Sequence, residues 1–152
     1  MRAVIQRVFS ANVIADDVPS GKIDKGLYIL LGVEKGDTEE DAELLAVKIS
    51  KLRIFSDKNG KMNLSVKDVS GDILVVSNFT LYANYSHGNR PDFFTSASPD
   101  MANSLYEHFM AILRMQDIHV ESGVFGADMK SNIVTDGPVT IVMDSENLKK
   151  GK

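Results

Sequence analysis

The sequence predicts an α+β fold in one domain over residues 1–152: a curled, barrel-like antiparallel sheet with two main helices packed outside it. Three observations predict it. Apolar residues recur at every second position through the first thirteen residues, as in a half-buried strand. Two later stretches carry apolar residues at helical spacing behind clear capping residues. Short strand-like runs follow and separate them, giving many antiparallel strands around few helices.

Residues 1–13 read as a strand, with Ala3, Ile5, Arg7, Phe9, Ala11 and Val13 on one face and Arg2, Val4, Gln6 and Val8 on the other. Arg7 thus falls in an otherwise apolar stripe. It is either an edge arginine whose stem packs while its head reaches water, or a partly buried one whose forked donors pin carbonyls or a carboxylate. Gly26 to Val33 is an apolar run that reads as a strand buried on both faces. Thr38-Glu39-Glu40-Asp41 has the pattern of a capping box, with acidic groups at the positive end of a helix. Leu45, Ile49 and Leu52 follow at helical spacing, which predicts a helix over residues 39–53. Asp57-Lys58-Asn59-Gly60 is a turn, and Ile73 to Leu81 a strand. Ser98 caps a second helix with Pro99 at its first position and Met101, Leu105, Phe109 and Ile112 on its apolar face. Short strands are expected at about 117–121, 130–135 and 139–143.

Composition narrows the chemistry. The chain has no cysteine, which excludes disulfides, thiolate nucleophiles and cysteine zinc sites. Its opening breaks the apolar run too soon for a signal peptide, and the longest later run, Leu27 to Leu31, is far below the ~20 residues of a membrane span. The expectation is a soluble cytoplasmic protein. The net charge of −4, from 17 Lys and Arg against 21 Asp and Glu, argues against a general nucleic-acid coat. It leaves room for capture of an RNA end, which is held mostly by stacking and hydrogen bonds.

His87, His108 and His119 have no metal-ligand spacing, and no nucleophile elbow, phosphate loop or dinucleotide fingerprint is present. No metal or cofactor is expected. Two segments stand out instead. In Ser77-Asn78-Phe79-Thr80-Leu81 an apolar strand turns polar, and alternation would put Ser77 and Phe79 on one face and Asn78 and Thr80 on the other. This is either a strand end meeting solvent or a terminus presenting hydroxyls and free N–H groups to a bound carbonyl, as an oxyanion hole requires. In Thr135-Asp136-Gly137-Pro138-Val139-Thr140, the Gly-Pro is either a plain turn or a place where another backbone or a ligand can approach closely.

Gln6-Arg7-Val8, Arg53-Ile54-Phe55-Ser56-Asp57, Gly60-Lys61-Met62-Asn63-Leu64, Ser77 to Leu81, Gly88-Asn89-Arg90-Pro91, Phe125-Gly126-Ala127-Asp128-Met129 and Gly137-Pro138-Val139-Thr140 occur in that order. With them the chain resembles the D-aminoacyl-tRNA deacylase family from Met1 to about Asp144. The resemblance implies a homodimer of barrel-like subunits with active sites at the interface, acting on the 3′ end of D-aminoacyl-tRNA. In that family a Ser-Gln-Phe-Thr-Leu strand of one subunit meets a cis Gly-Pro of the other, whose two carbonyl oxygens face the α-amino group. An L-side chain would collide with that backbone. Gly137 and Pro138 would then be the chiral filter, with Arg7 holding their peptide, and glycine, having no side chain to reject, would be cleaved to some degree.

By the same resemblance, backbone N–H groups around Ser77, Asn78, Phe79 and Thr80 would stabilise the oxyanion. The motif contains no base to activate the Thr80 hydroxyl. The 2′-OH of the terminal adenosine would assist attack, and Thr80 would mainly position. Phe79, Phe125 and Met129 would line the adenosine pocket, or serve as core side chains. Three positions depart from the family pattern: Asn78 replaces glutamine, Thr135 replaces asparagine, and Ser86-His87 replaces lysines. Two other readings stand beside this one. An L-aminoacyl-tRNA-editing relative keeps its Gly-Pro trans, though Ser77 and Phe79 stand where that branch has proline and alanine. A non-catalytic dimer that binds nucleic-acid ends is the third.

Overall fold

The computed structural model describes residues 1–151. In chain order it contains β1 (Arg2–Ala15), β2 (Val18–Ile23), β3 (Gly26–Gly32), α1 (Glu39–Ser50), β4 (Phe55–Ser56), β5 (Met62–Leu64) and β6 (Asp72–Ser77). A short 3-10 helix (Phe79–Tyr82) follows, then α2 (Pro99–Met115), β7 (Val120–Ser122), β8 (Met129–Asp144) and α3 (Ser145–Lys150).

β1 organises the sheet. One of its edges pairs with β3 through residues 2–8 and with β2 through residues 11–15, while β8 covers the other edge along its whole length. β6 and β7 extend the sheet beyond β3 in the order β2-β1-β3-β6-β7. The sheet curls until β2 comes back toward β7, where the Ser20 hydroxyl donates to the Ser122 carbonyl at 2.9 Å. Gly21 makes that approach feasible, since a Cβ there would lie 2.6 Å from the Ser122 carbonyl oxygen. The α+β class expected from the sequence is therefore the one found, a nearly closed barrel with α1 and α2 outside it. The sheet is mixed rather than wholly antiparallel, because β3, β6 and β7 run parallel to one another.

The curl divides the apolar side chains between two cores. Ala3, Ile5, Leu27, Ile29, Ile73 and Val75 face Leu45, Ile49, Leu105, Phe109 and Leu113 of the helices. Val8, Ala11, Val13, Ile23, Tyr28, Leu74 and Val76 fill the barrel side. The single stripe expected along β1 breaks between these cores. The register against β8 shifts between Gln6 and Val8 and again before Ser10, so Val8 turns inward while Phe9 is left 58% exposed.

Four boundaries also differ from expectation. α1 ends at Ser50 rather than residue 53, the strand from residue 73 stops at Ser77, and the two strands expected within 130–143 are one, β8. The strand expected at 117–121 is β7, shifted to Val120–Ser122. The capping signals hold: the Asp41 carboxylate accepts from the Thr38 N–H at 2.9 Å, and Ser98 accepts from the Met101 N–H at 3.4 Å. Among the described residues no helix is long and apolar enough to cross a membrane.

Candidate functional site

A cavity of about 840 Å³ opens on the barrel side of the sheet, where β6 ends. Tyr28, Leu30 and Val76 form its floor, Phe125 and Met129 one wall, and Ser77, Asn78, Phe79 and Thr80 its rim. Its size suits a ligand of a few rings, and its lining is apolar with few polar groups, as in most small-molecule sites. The Tyr28 hydroxyl pairs with Ser131 Oγ at 2.7 Å at the cavity. Burial raises the Tyr28 pKa above its ordinary value against the lowering pull of that hydrogen bond, so the phenol stays neutral near pH 7.

The rim departs from the expected strand alternation. Asn78 is the last extended residue and the N-cap of the 3-10 helix, and its Oδ1 accepts from the Thr80 N–H at 3.2 Å. The Thr80 hydroxyl donates to the same oxygen. The Asn78 N–H continues the sheet by donating to the Leu31 carbonyl at 2.9 Å. The Phe79 N–H, at the start of the 3-10 helix, has no acceptor among the described residues. That is the usual condition of a first-turn amide, and it makes this N–H a donor for a bound oxygen. The Phe79 carbonyl is held by the Ser96 hydroxyl at 3.1 Å, and its ring packs edge-on against Phe93 at 5.1 Å between centroids. Phe79 nonetheless remains 57% exposed. Behind the far wall, Tyr106 anchors itself by donating to the Val75 carbonyl at 3.1 Å, and its ring lies 6.0 Å from that of Phe125.

Gly137 and Pro138 are not among the cavity walls. They project from β8, where the ladder passes from Gln6↔Thr140 to Val8↔Thr135, so Arg7 alone faces the four residues Asp136 to Val139. The Gly137–Pro138 peptide is cis. Gly137 has φ +128°, and a Cβ there would sit 2.8 Å from the Val139 nitrogen, so only glycine suits the position. Arg7 secures the base of this projection and is 8% exposed. Its Nη1 donates to the Ile54 carbonyl at 2.7 Å, its Nε to the Asp136 carbonyl at 3.3 Å and its Nη2 to the Asp136 carboxylate at 3.3 Å. Of the two readings open for Arg7 in the sequence, the buried, forked one is realised.

Residues 4–144 match the model of the D-Tyr-tRNA(Tyr) deacylase family. The chain belongs to that family. Proteins named D-aminoacyl-tRNA deacylase are similar to it over nearly their whole length. That of Thermotoga petrophila is 53% identical, covering 97% of this chain and 99% of its own. That of Thermosipho melanesiensis is 56% identical with the same coverage. Among solved structures, a c-Myc DNA Unwinding Element Binding Protein superposes with a TM-score of 0.88 at 38% identity, covering 95% of this chain and 98% of its own. A probable eukaryotic D-amino acid tRNA deacylase superposes with a TM-score of 0.80 over 94% of this chain and 98% of its own. At 16% identity that second likeness concerns the fold alone.

Within this deacylase-family chain the expected residues fall into two groups. Ser77, Asn78, Phe79, Thr80, Phe125 and Met129 meet at the cavity, whereas Arg7, Gly137 and Pro138 form the separate projection. Sequence reasoning missed Asp136, Ser96, Phe93 and Tyr28. Asp136 adjoins the Gly-Pro and could have been sought as the partner of Arg7. Ser96 and Phe93 lie in an irregular loop, and nothing local marks their seat beside Phe79. No group of three or more acidic, histidine or cysteine residues that could hold a metal occurs among the described residues.

Proposed function

We propose that this chain hydrolyses the ester joining a D-amino acid to the 3′ end of tRNA, releasing free D-amino acid and tRNA, as a homodimer with active sites at the subunit interface. The observation that carries the reading is the division of the machinery. The Ser77–Thr80 rim and the Gly137–Pro138 projection are both open to solvent yet lie apart in one chain, so a second copy can supply to each cavity what its own chain does not.

The terminal adenosine enters the cavity against Phe79, Phe125 and Met129, where aromatic and thioether groups suit a purine. The ester carbonyl meets the Phe79 N–H, which stabilises the oxyanion of the tetrahedral intermediate. The partner's Gly-Pro carbonyls hold the α-amino group, and an L-side chain meets main chain that cannot move aside. Rejection of L-substrates is thus steric, and a glycyl ester, including glycine mischarged on tRNA-Ala, passes the filter. No histidine or carboxylate activates Thr80; the 2′-OH of the adenosine assists the attack, with Thr80 in a positioning role. Ser77 and Phe79 favour this reading over an L-editing one. A tRNA substrate goes with a cytoplasmic location.

A second reading, a non-catalytic module that binds nucleic-acid ends, draws on the 38% identical solved structure named as a DNA-unwinding-element-binding protein. Turnover separates the two. Purified protein at a hundredth of the concentration of D-tyrosyl-tRNA is expected to release the amino acid completely and repeatedly. Release that stops at one equivalent, or none at all beyond the uncatalysed rate, contradicts the enzyme reading.

A further inference from the structure

We propose that Asn78 is a positioning residue that fixes the Thr80 hydroxyl as an acceptor aimed at the 2′-hydroxyl of the terminal adenosine. The inference rests on the deacylase reading above and adds a role for a side chain particular to this chain's rim.

The hydrogen-bond directions follow from donor and acceptor inventory. The Thr80 N–H can only donate, so the Asn78 amide atom that meets it at 3.2 Å is the oxygen, not the nitrogen. The Thr80 Oγ1 contacts that same oxygen, so it too must donate. A hydroxyl has one proton. Once that proton is directed at Asn78, only lone pairs remain for a ligand in the cavity that both residues border. Thr80 therefore cannot donate to the substrate; it can only accept.

The reacting end of the proposed substrate offers two donors, the α-amino group and the ribose 2′-hydroxyl. In the proposed dimer the Gly-Pro carbonyls of the second copy take the first, which leaves the second for Thr80. The resulting chain runs from O2′–H to Thr80 Oγ1 and from Thr80 O–H to Asn78 Oδ1. Aligned hydrogen bonds of this kind polarise one another, so O2′ is oriented and its oxygen made more electron-rich. Neither the threonine hydroxyl nor the amide oxygen is basic enough to remove a proton near pH 7, so no proton leaves O2′ through this chain. An asparagine at an N-cap reaches the N–H two residues on, and here its one oxygen takes both the amide and the hydroxyl of Thr80.

The test is a double-mutant cycle between protein and ribose. Binding of a non-hydrolysable 3′-amide of D-tyrosyl-adenosine, and of its 2′-deoxy counterpart, is measured by calorimetry for the wild type, Asn78→Ala, Asn78→Asp and Thr80→Val. The wild type is expected to prefer the ribose analogue, and Asn78→Ala to reduce that preference about 3- to 10-fold, the effect of one neutral hydrogen bond. Binding of the deoxy analogue should change little. Asn78→Asp, which keeps an acceptor oxygen in place, is expected to recover most of the preference, and Thr80→Val to match Asn78→Ala. Equal weakening of both analogues by Asn78→Ala, or no recovery in Asn78→Asp, overturns the proposal. Single-turnover hydrolysis of D-tyrosyl-tRNA ending in adenosine or 2′-deoxyadenosine, the latter charged on its 3′-OH, provides the kinetic counterpart. An enzyme that hydrolyses D-tyrosyl-tRNA without this coupling loses only the Asn78 assignment. A wild type that does not hydrolyse it loses the deacylase reading, while the binding cycle still decides the role of Asn78.

Discussion

Arg7 places a guanidinium in the middle of a strand, and three backbone or carboxylate oxygens receive it. Truncating it would leave the Asp136 carboxylate and the Ile54 carbonyl without their donor in a region with little solvent. Arg7→Ala is therefore expected to destabilise the fold by about 2–3 kcal/mol, below the cost of breaking a fully buried pair because Asp136 keeps 26% of its side-chain surface exposed. Arg7→Lys should recover only part of that, since a point charge cannot replace a fork. Urea denaturation measures both, and a loss below about 0.5 kcal/mol for Arg7→Ala, within surface-substitution range, would contradict the account. The arginine itself was legible in the sequence because it interrupts an apolar stripe. Its partner went unassigned although Asp136 adjoins the Gly-Pro, because Asp136 meets Arg7 across a bulge whose register no local pattern encodes.

At the scale of elements, α1 and α3 are tied together at Asp41. Its carboxylate takes the Thr38 N–H at 2.9 Å, the Ser145 hydroxyl at 2.7 Å and the Lys149 ammonium at 2.8 Å. Burial alone would raise its pKa, but the bonds from Lys149, Ser145 and Thr38 outweigh it and hold the group well below its ordinary value of 3.8. A carboxylate depressed in the folded state stabilises fully above its unfolded value and loses that contribution as pH falls toward the folded one. Thermal melts of the wild type should thus fall on acidification below about pH 4, and Asp41→Asn, already less stable at pH 7, should lose less over that range. Parallel decline of the two would contradict the linkage. The capping half of this network was readable from Thr38-Glu39-Glu40-Asp41. The other half was not, because α3 is a short helix packed by contacts from distant chain. The same limit explains the strand that stops early: period-2 alternation runs through Ser77 to Leu81, yet Asn78 caps its own downstream N–H and turns the chain into a 3-10 helix.

Across the whole molecule, β8 leaves a long exposed face, with Val134 at 55% and Val142 at 63% exposure and Phe9 of β1 beside it at 58%. The edge of β8 away from β1 pairs with no other strand among the described residues, an open edge that the proposed second copy would cover. If each active site combines the rim of one chain with the projection of the other, two defective variants should complement. Gly137→Val disables the projection, and Phe79→Asp the rim. Random mixing makes half the dimers mixed, each with one intact site, so activity should return to roughly a quarter of wild type. No recovery, or a monomer at working concentration, would contradict shared sites. Periodicity, caps and composition in a single chain carry no sign of such sharing; only the family resemblance implies it. The barrel, both main helices and the Ser77–Thr80 and Gly-Pro segments were legible because periodicity, caps and local residue type mark them. The most direct test of the central claim is single-turnover hydrolysis of matched D-tyrosyl-, D-phenylalanyl-, D-aspartyl-, L-tyrosyl- and glycyl-tRNAs by the purified protein. A backbone filter that leaves the D-side chain in open space should give similar rates for the three D-substrates, measurable cleavage of glycine and almost none of the L-ester. Strong preference among D-side chains, which a side-chain pocket can impose at 10⁴-fold or more, or comparable cleavage of L-tyrosine, would contradict it.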